Sequence, residues 1–222
     1  MRPLEELDDP SASSWAELRS VLLAAQGAVV AEAEYSAGAD ELLRLQVTTR
    51  SYLGCLARHT GGVVLDDGWT RMLGSRSDQS PFSITSMTAV LGWDGAPPAG
   101  IVVGIDVLGG VFAINGGALG ETHKQRVFYF DPAALSWECL ELSHSQWVTS
   151  MLNHDAREEF YADLRWAGWR REVAALTPSQ GFSIYPPLFT KESKPLAATS
   201  RVPVPLLELI NLNFDMARQL SA

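Results

Sequence analysis

The sequence predicts one α+β domain over residues 1–222, built on an antiparallel meander sheet with helices packed mainly on one face. Three observations carry this. Between residues 101 and 141, apolar runs of strand length alternate with Gly-Gly, Asn-Gly and Asp-Pro punctuation, the pattern of hairpin-connected strands. Segments with helical periodicity flank that block on both sides. The chain of 222 residues is 46% hydrophobic and 19% charged, with 7 Trp and 8 Phe, which is ample for a core.

The elements follow in order. "SSWAELRSVLLAAQG" opens with Ser14 and Glu17 in the spacing of a capping box, carries Trp15, Leu18, Leu22 and Ala25 at helical spacing, and ends at Gly27. "VVAEAE" predicts a short strand, and a second helix is expected from near Asp40. "QVTTRS" reads as a loop, Leu53 to His59 as a short apolar helix, and "VVLDD" as a strand turning at Gly68. Residues 74–100 are loop-rich and are expected to form surface excursions. Strands are then expected at 101–106, 111–115, 126–130 and 136–141, in a sheet of about five or six. Ser143 or Ser145 is placed to cap a helix bearing Trp147, Val148 and Met151. One longer helix is expected over 157–175. The tail has prolines at 178, 186, 187, 195, 203 and 205 and is apolar, so it is expected to wrap the domain in extended form, with a short helix from Pro205.

The glycine-rich stretch "IVVGIDVLGGVFAINGGALG" suits neither a membrane nor a nucleotide. Asp106, Asn115 and the glycine pairs break it into pieces too short to span about 30 Å of hydrocarbon. Its glycines do not match G-x-G-x-x-G, and strands rather than a helix follow. The net charge is -9 and the pI about 4.9, so nucleic acid and anionic membranes are not expected partners; such acidity would favour a basic protein partner, although many bacterial cytosolic proteins are simply acidic. The N-terminus "MRPLEELDDPSASSW" lacks the basic start and apolar run of a signal peptide, which predicts a cytoplasmic protein. Cys55 and Cys139 have no metal-ligand spacing and read as buried thiols.

Several segments together resemble a known family. "LQVTTRS", "HTGGVVLDDGWTRMLGS", "GGVFAINGGALG", "VFYFDPAALSWECL", "FYADLRWAGW" and "FSIYPPLFTKE" occur in this order. The set resembles the bacterial family of domain of unknown function 2625, from about residue 4 to residue 206. That resemblance implies organisation and no catalytic residues. Residues 39–153 also resemble the SUKH superfamily, through a "TGG" turn after a short helix, a strand meander and the closing helix "SHSQWVTSML". On that likeness 39–153 is a SUKH-like core and 154–222 a helix plus the proline-rich tail. It implies protein binding of an immunity or regulatory kind.

No catalytic constellation, metal site or cofactor is expected. Cys55 and His59 share a helix face, and Asp66 or Asp67 is placed to orient that histidine, but Cys55 lies in an apolar run. His144, His154 and Asp155 have no ligand spacing. Two site hypotheses remain. Thr49, Arg50 and Ser51 of "QVTTRS", with Arg71 and Arg76 of "GWTRMLGSRS", have the donors to hold a carboxylate or phosphate, with His59 as the base of an enzyme. Against catalysis stands a binding surface around Asp66, Asp67, Glu121 and Glu138, with Trp166 and Trp169 of "LRWAGWRRE" as interface residues. The second is preferred.

Overall fold

A computed structural model describes residues 1–220; the last two residues of the expected 1–222 domain lie outside the described chain. The fold is α+β, and its sheet is antiparallel throughout. Seven strands lie side by side in the order in which they occur along the chain: β1 (Ala28–Glu32), β2 (Thr60–Leu65), β3 (Thr70–Met72), β4 (Gly100–Asp106), β5 (Val111–Asn115), β6 (Val127–Asp131) and β7 (Ser136–Cys139). The four strands expected over residues 101–141 are consecutive, as β4 to β7. The sheet is larger than expected because Thr70–Met72 also pairs, Arg71 facing Val64 on one side and Ile105 on the other.

The described helices are α1 (Leu4–Leu7), α2 (Trp15–Ala24), α3 (Tyr35–Leu45), α4 (Tyr52–His59), α5 (Ile84–Val90), α6 (His144–Leu152), α7 (His154–Phe160), α8 (Trp169–Val173) and α9 (Leu206–Leu220). Period-two alternation sends Met72, Phe112 and Tyr129 to one sheet face. There Trp147 of α6 meets Phe112 at 5.2 Å between ring centroids, and α4 packs beside α6. Phe130 points to the other face and meets Phe214 of α9 at 4.4 Å. The tail crosses that side as a two-stranded ribbon, β8 (Gln180–Tyr185) and β9 (Ser200–Pro205), anchored by the Phe182 N–H donating to the Val107 carbonyl at 2.7 Å. Among the described residues, no helix is long and apolar enough to cross a membrane.

Three local expectations need correction. The helix expected over 157–175 is two helices: α7 ends at Phe160, and Gly168 at φ 84, in the left-handed region, sits directly before α8. The 74–100 region is not all surface loop: it holds α5, with a capping box formed by Ser83 and Ser86, and buries Phe82, Ile84 and Met87. Ser14 and Glu17 form no capping box; the Ser14 hydroxyl donates to the Arg50 carbonyl, and Glu17 accepts from Tyr52. Ser143 does cap α6, with Gln146 as its reciprocal partner.

Candidate functional site

The densest collection of chemistry-bearing side chains lies at the turn between β2 and β3. Asp66 and Asp67 both take left-handed backbone, at φ 50 and 58. The Asp66 N–H donates to the Gly27 carbonyl at 3.0 Å, and its carboxylate is buried. Arg157 of α7 grips that carboxylate with Nε and Nη2 at 2.9 and 2.8 Å, and sends its other donors to the carbonyls of Met151 and Gln26. Arg165 donates to the same carboxylate at 2.6 Å and to Glu158 at 2.5 Å. Desolvation pushes the Asp66 carboxyl up, but the hydrogen bonds and charges of Arg157 and Arg165 outweigh it and hold the group below the usual range. Arg165 also lies over the rings of Trp169 at 4.1 Å and Trp69 at 5.1 Å. Arg170, half-exposed, closes the rim against Asp67 and Glu158 at 3.6 and 3.0 Å.

Asp66, His154 and Glu158 come within 4.8 Å of one another. They nevertheless make a poor cation centre. Both Asp66 oxygens already accept from arginines, and the guanidiniums of Arg157, Arg165 and Arg170 would repel a cation.

A second buried carboxylate explains the glycine-rich stretch. Asp106 accepts the N–H groups of Leu108 and Gly110 at 2.9 Å each, which closes the β4–β5 turn. It also accepts the hydroxyls of Tyr129 at 2.8 Å and Tyr161 at 3.3 Å, and Thr70 donates to Tyr161 at 3.0 Å. Burial pushes the Asp106 carboxyl up, opposed by those four donors, and pushes both tyrosines well above their ordinary value. The stretch thus wraps an internal carboxylate rather than a phosphate.

The loop pocket expected around Arg50 and Arg71 does not assemble. Arg50 is exposed and pairs with Asp9 at 3.6 Å. Thr49 is buried, its hydroxyl donating to the Leu7 carbonyl at 3.4 Å, and Ser51 caps α4 by accepting from Gly54. Arg71 lies buried in the sheet, its guanidinium lowered to about 10 by burial, with Asp106 opposing. His59 stacks on Trp15 at 4.7 Å and is held low by desolvation, and burial pushes the neighbouring Cys55 thiol up to about 11. Thr49, Arg50 and Ser51 are thus spent on neighbouring groups, while Arg71 and His59 lie in separate packed surroundings.

The expected binding surface also divides. Asp67, Glu121 and Glu138 are exposed. Asp66, Trp166 and Trp169 are buried and unavailable to a partner. What the sequence did not point to is an aromatic cleft of about 500 Å³ between α9 and the β7 end of the sheet. Trp93, Trp137 and Phe214 line it half-buried. Trp137 lies 5.6 Å from Trp93 and 5.9 Å from Phe214, stacked on the latter. Arg218, ion-paired with Asp215, lies at its margin.

Comparison with known proteins places this architecture. Residues 4–209 match a family described as "Protein of unknown function DUF2625". The chain belongs to the DUF2625 family. It is 36% identical over 178 residues to the uncharacterised protein YbfG of Escherichia coli (strain K12), covering 79% of this chain and 78% of that protein. It is 32% identical over 191 residues to an uncharacterised protein of Haemophilus influenzae (strain ATCC 51907 / DSM 11121 / KW20 / Rd), covering 85% and 83%. In this DUF2625 chain the segments that carried the resemblance are largely those that build the two buried carboxylate centres. "LDDGWTR" supplies Asp66, Trp69 and Thr70, "FYADLRWAGW" supplies Tyr161, Arg165 and Trp169, and "VFYFD" supplies Tyr129. Arg157 and Asp106 escaped sequence reasoning, since a charged residue next to an apolar run gives no sign of the partner it will meet. Trp137 and Trp93 were visible only as aromatics in a strand and a loop.

Proposed function

We propose that this DUF2625 protein is a cytoplasmic, non-catalytic binding module of the immunity or regulatory kind, which recognises a basic segment of another protein. The observation that carries the reading is the cleft of Trp93, Trp137 and Phe214 beside β7. Rigid aromatics bury large areas at low entropic cost and dominate interface energetics. β7 is the last strand of the sheet, so its outer backbone groups are available for an incoming strand, whose alternate side chains would enter the cleft. Glu138 on β7 and Asp94 next to Trp93 are exposed, and the net charge of -9 favours a basic partner, chiefly through the association rate. Reading residues 39–153 as SUKH-like belongs to the same proposal and would accord with a protein-binding role.

The test is capture from the native host followed by reconstitution with the purified partner. Trp137→Ala is expected to weaken binding by at least about tenfold, a typical interface hot-spot loss. Glu138→Lys, an exposed change, is expected to slow association and reduce its salt dependence. Amide exchange should show protection along β7. A purified partner that binds both variants like the wild type overturns the reading, as does a host lysate that yields no partner while a substrate screen yields turnover.

A further inference from the structure

A different cavity, of about 740 Å³, lies between α3, the loop at 76–81 and the start of α5. Its volume is in the range of about 300–1,000 Å³ that small-molecule sites occupy. Five exposed charges of both signs line it, Arg44 and Arg76 on one hand and Glu34, Asp40 and Asp78 on the other, beside the buried Glu41. Among the described residues, none of these five is within ion-pair distance of an opposite charge. Five charges therefore face one space without neutralising one another.

The wall that carries Arg76 and Asp78 is built into the fold. The Ser75 N–H donates to the Thr60 carbonyl at 2.9 Å, and Ser77 and Ser80 exchange backbone hydrogen bonds at 2.8 and 3.1 Å. Gly61 and Gly74 make this close approach possible. A Cβ on Gly61 would meet the Ser77 side chain at 2.5 Å, and one on Gly74 would overlap the Thr60 carbonyl oxygen. The "HTGGVV" and "MLGSRS" stretches thus clamp the loop to β2. On the opposite wall Glu41 is buried, with its two oxygens accepting from the Thr85 N–H at 2.6 Å and hydroxyl at 2.8 Å. That contact fixes α3 against α5, so the spacing between the cavity's walls is set by the frame.

We propose that this cavity binds a small zwitterion, of amino-acid to dipeptide size, with its carboxylate on Arg44 and Arg76 and its ammonium on Asp40 and Asp78. A simple anion would meet the three exposed carboxylates, and a simple cation the two guanidiniums. A neutral molecule would answer neither set. A ligand with both charges answers both sets, and an arginine fork suits a carboxylate in a bidentate arrangement. This inference is independent of the cleft beside β7, which shares no lining residue with it.

The test is isothermal titration of the full-length protein with L-alanyl-L-alanine, its N-acetyl derivative and its C-terminal amide. Low ionic strength is needed because exposed charges are screened within about 10 Å at 0.1 M salt. The free dipeptide is expected to bind, and each capped form to bind at least about tenfold more weakly, the loss of one charge-assisted contact. Arg76→Gln should abolish the preference for the free carboxylate, and Asp78→Asn should reduce that for the free ammonium. Both positions are exposed, and an unchanged melting temperature for each variant confirms that the fold is intact. Absence of binding up to about 10 mM dipeptide, where even a contact worth roughly 3 kcal/mol registers, overturns the proposal. So does equal binding of the capped forms, or an Arg76→Gln variant that discriminates like the wild type.

Discussion

Replacing Asp66 by Asn removes one charge and little volume, and it should be among the most destabilising substitutions in the molecule. The carboxylate is buried and accepts three guanidinium N–H bonds, at 2.9, 2.8 and 2.6 Å. Among the described residues the fully buried Arg157 pairs with no other anion, and its remaining donors go to backbone carbonyls. Breaking a buried pair by deleting one partner costs about 3–5 kcal/mol, because the charge left behind stays desolvated. For a chain of this size that is a fall in melting temperature of roughly 10 °C. The pH dependence has a definite sign. The folded-state pKa of Asp66 is lowered, so its stabilisation is fully present above the unfolded value of about 3.9 and is lost as pH falls through the folded value. Urea titrations of wild type and Asp66→Asn at pH 7 should differ by the full amount, and the gap should narrow below about pH 4 as the wild-type carboxylate takes up its proton. A gap under about 1 kcal/mol at pH 7, or one that stays constant on acidification, would refute the reasoning.

Other substitutions should separate packing from polarity. Gly38→Ala should destabilise by about 1–3 kcal/mol in urea melts although alanine is the better helix former, because its Cβ would overlap the Arg58 carbonyl oxygen where α3 crosses α4. Tyr129→Phe should cost about 1–3 kcal/mol by the same measure, since it withdraws a donor at 2.8 Å from the buried Asp106. Arg71→Met should cost clearly less than Asp66→Asn, because among the described residues the buried Arg71 side chain has no hydrogen-bond partner to lose and only the charge of Asp106 to oppose its burial; an equal loss in urea melts would contradict this. His144 should titrate by NMR near the value of about 4 to which burial lowers it. Because that folded value is depressed, protonation favours the unfolded chain and the His144 contribution to stability falls as pH drops from about 6.5 toward 4.

The meander was legible because its signals are local. Each strand from β4 to β7 is an apolar run bounded by turn residues within a few positions, and Ser143 and Gln146 announce α6 by their spacing. The failures are equally local in origin. Phe160, Leu164, Trp169 and Val173 keep near-helical spacing, and all four pack into or against the core, yet the chain unwinds between Phe160 and Trp169. Burial alone therefore did not distinguish one helix from two. In "SITSMTAV" threonine and serine masked α5, whose capping box is read only once Ser83 and Ser86 are paired. The carboxylate centres were out of reach for a different reason: Asp66 meets Arg157 across 91 positions of sequence, and no periodicity reports on such a pairing. The same distance turned Asp66, Trp166 and Trp169 from expected contact residues into interior ones.

The strand order of the sheet has a consequence for how the chain is made. During synthesis each new strand finds its neighbour already in place, so the sheet can grow by addition at one edge without waiting for a crossover. The charges do not follow that schedule. Asp66 leaves the ribosome 91 residues ahead of Arg157 and 99 ahead of Arg165, so for that interval the growing sheet carries an unanswered carboxylate at the β2–β3 turn. Closure of that end must await the arginines, which makes α7 and the segment after it the latch of the assembly rather than an appendage. A nascent chain stopped before Arg157 should remain protease-sensitive at the β2–β3 turn even with all seven strands synthesised, and gain protection once residue 165 has emerged.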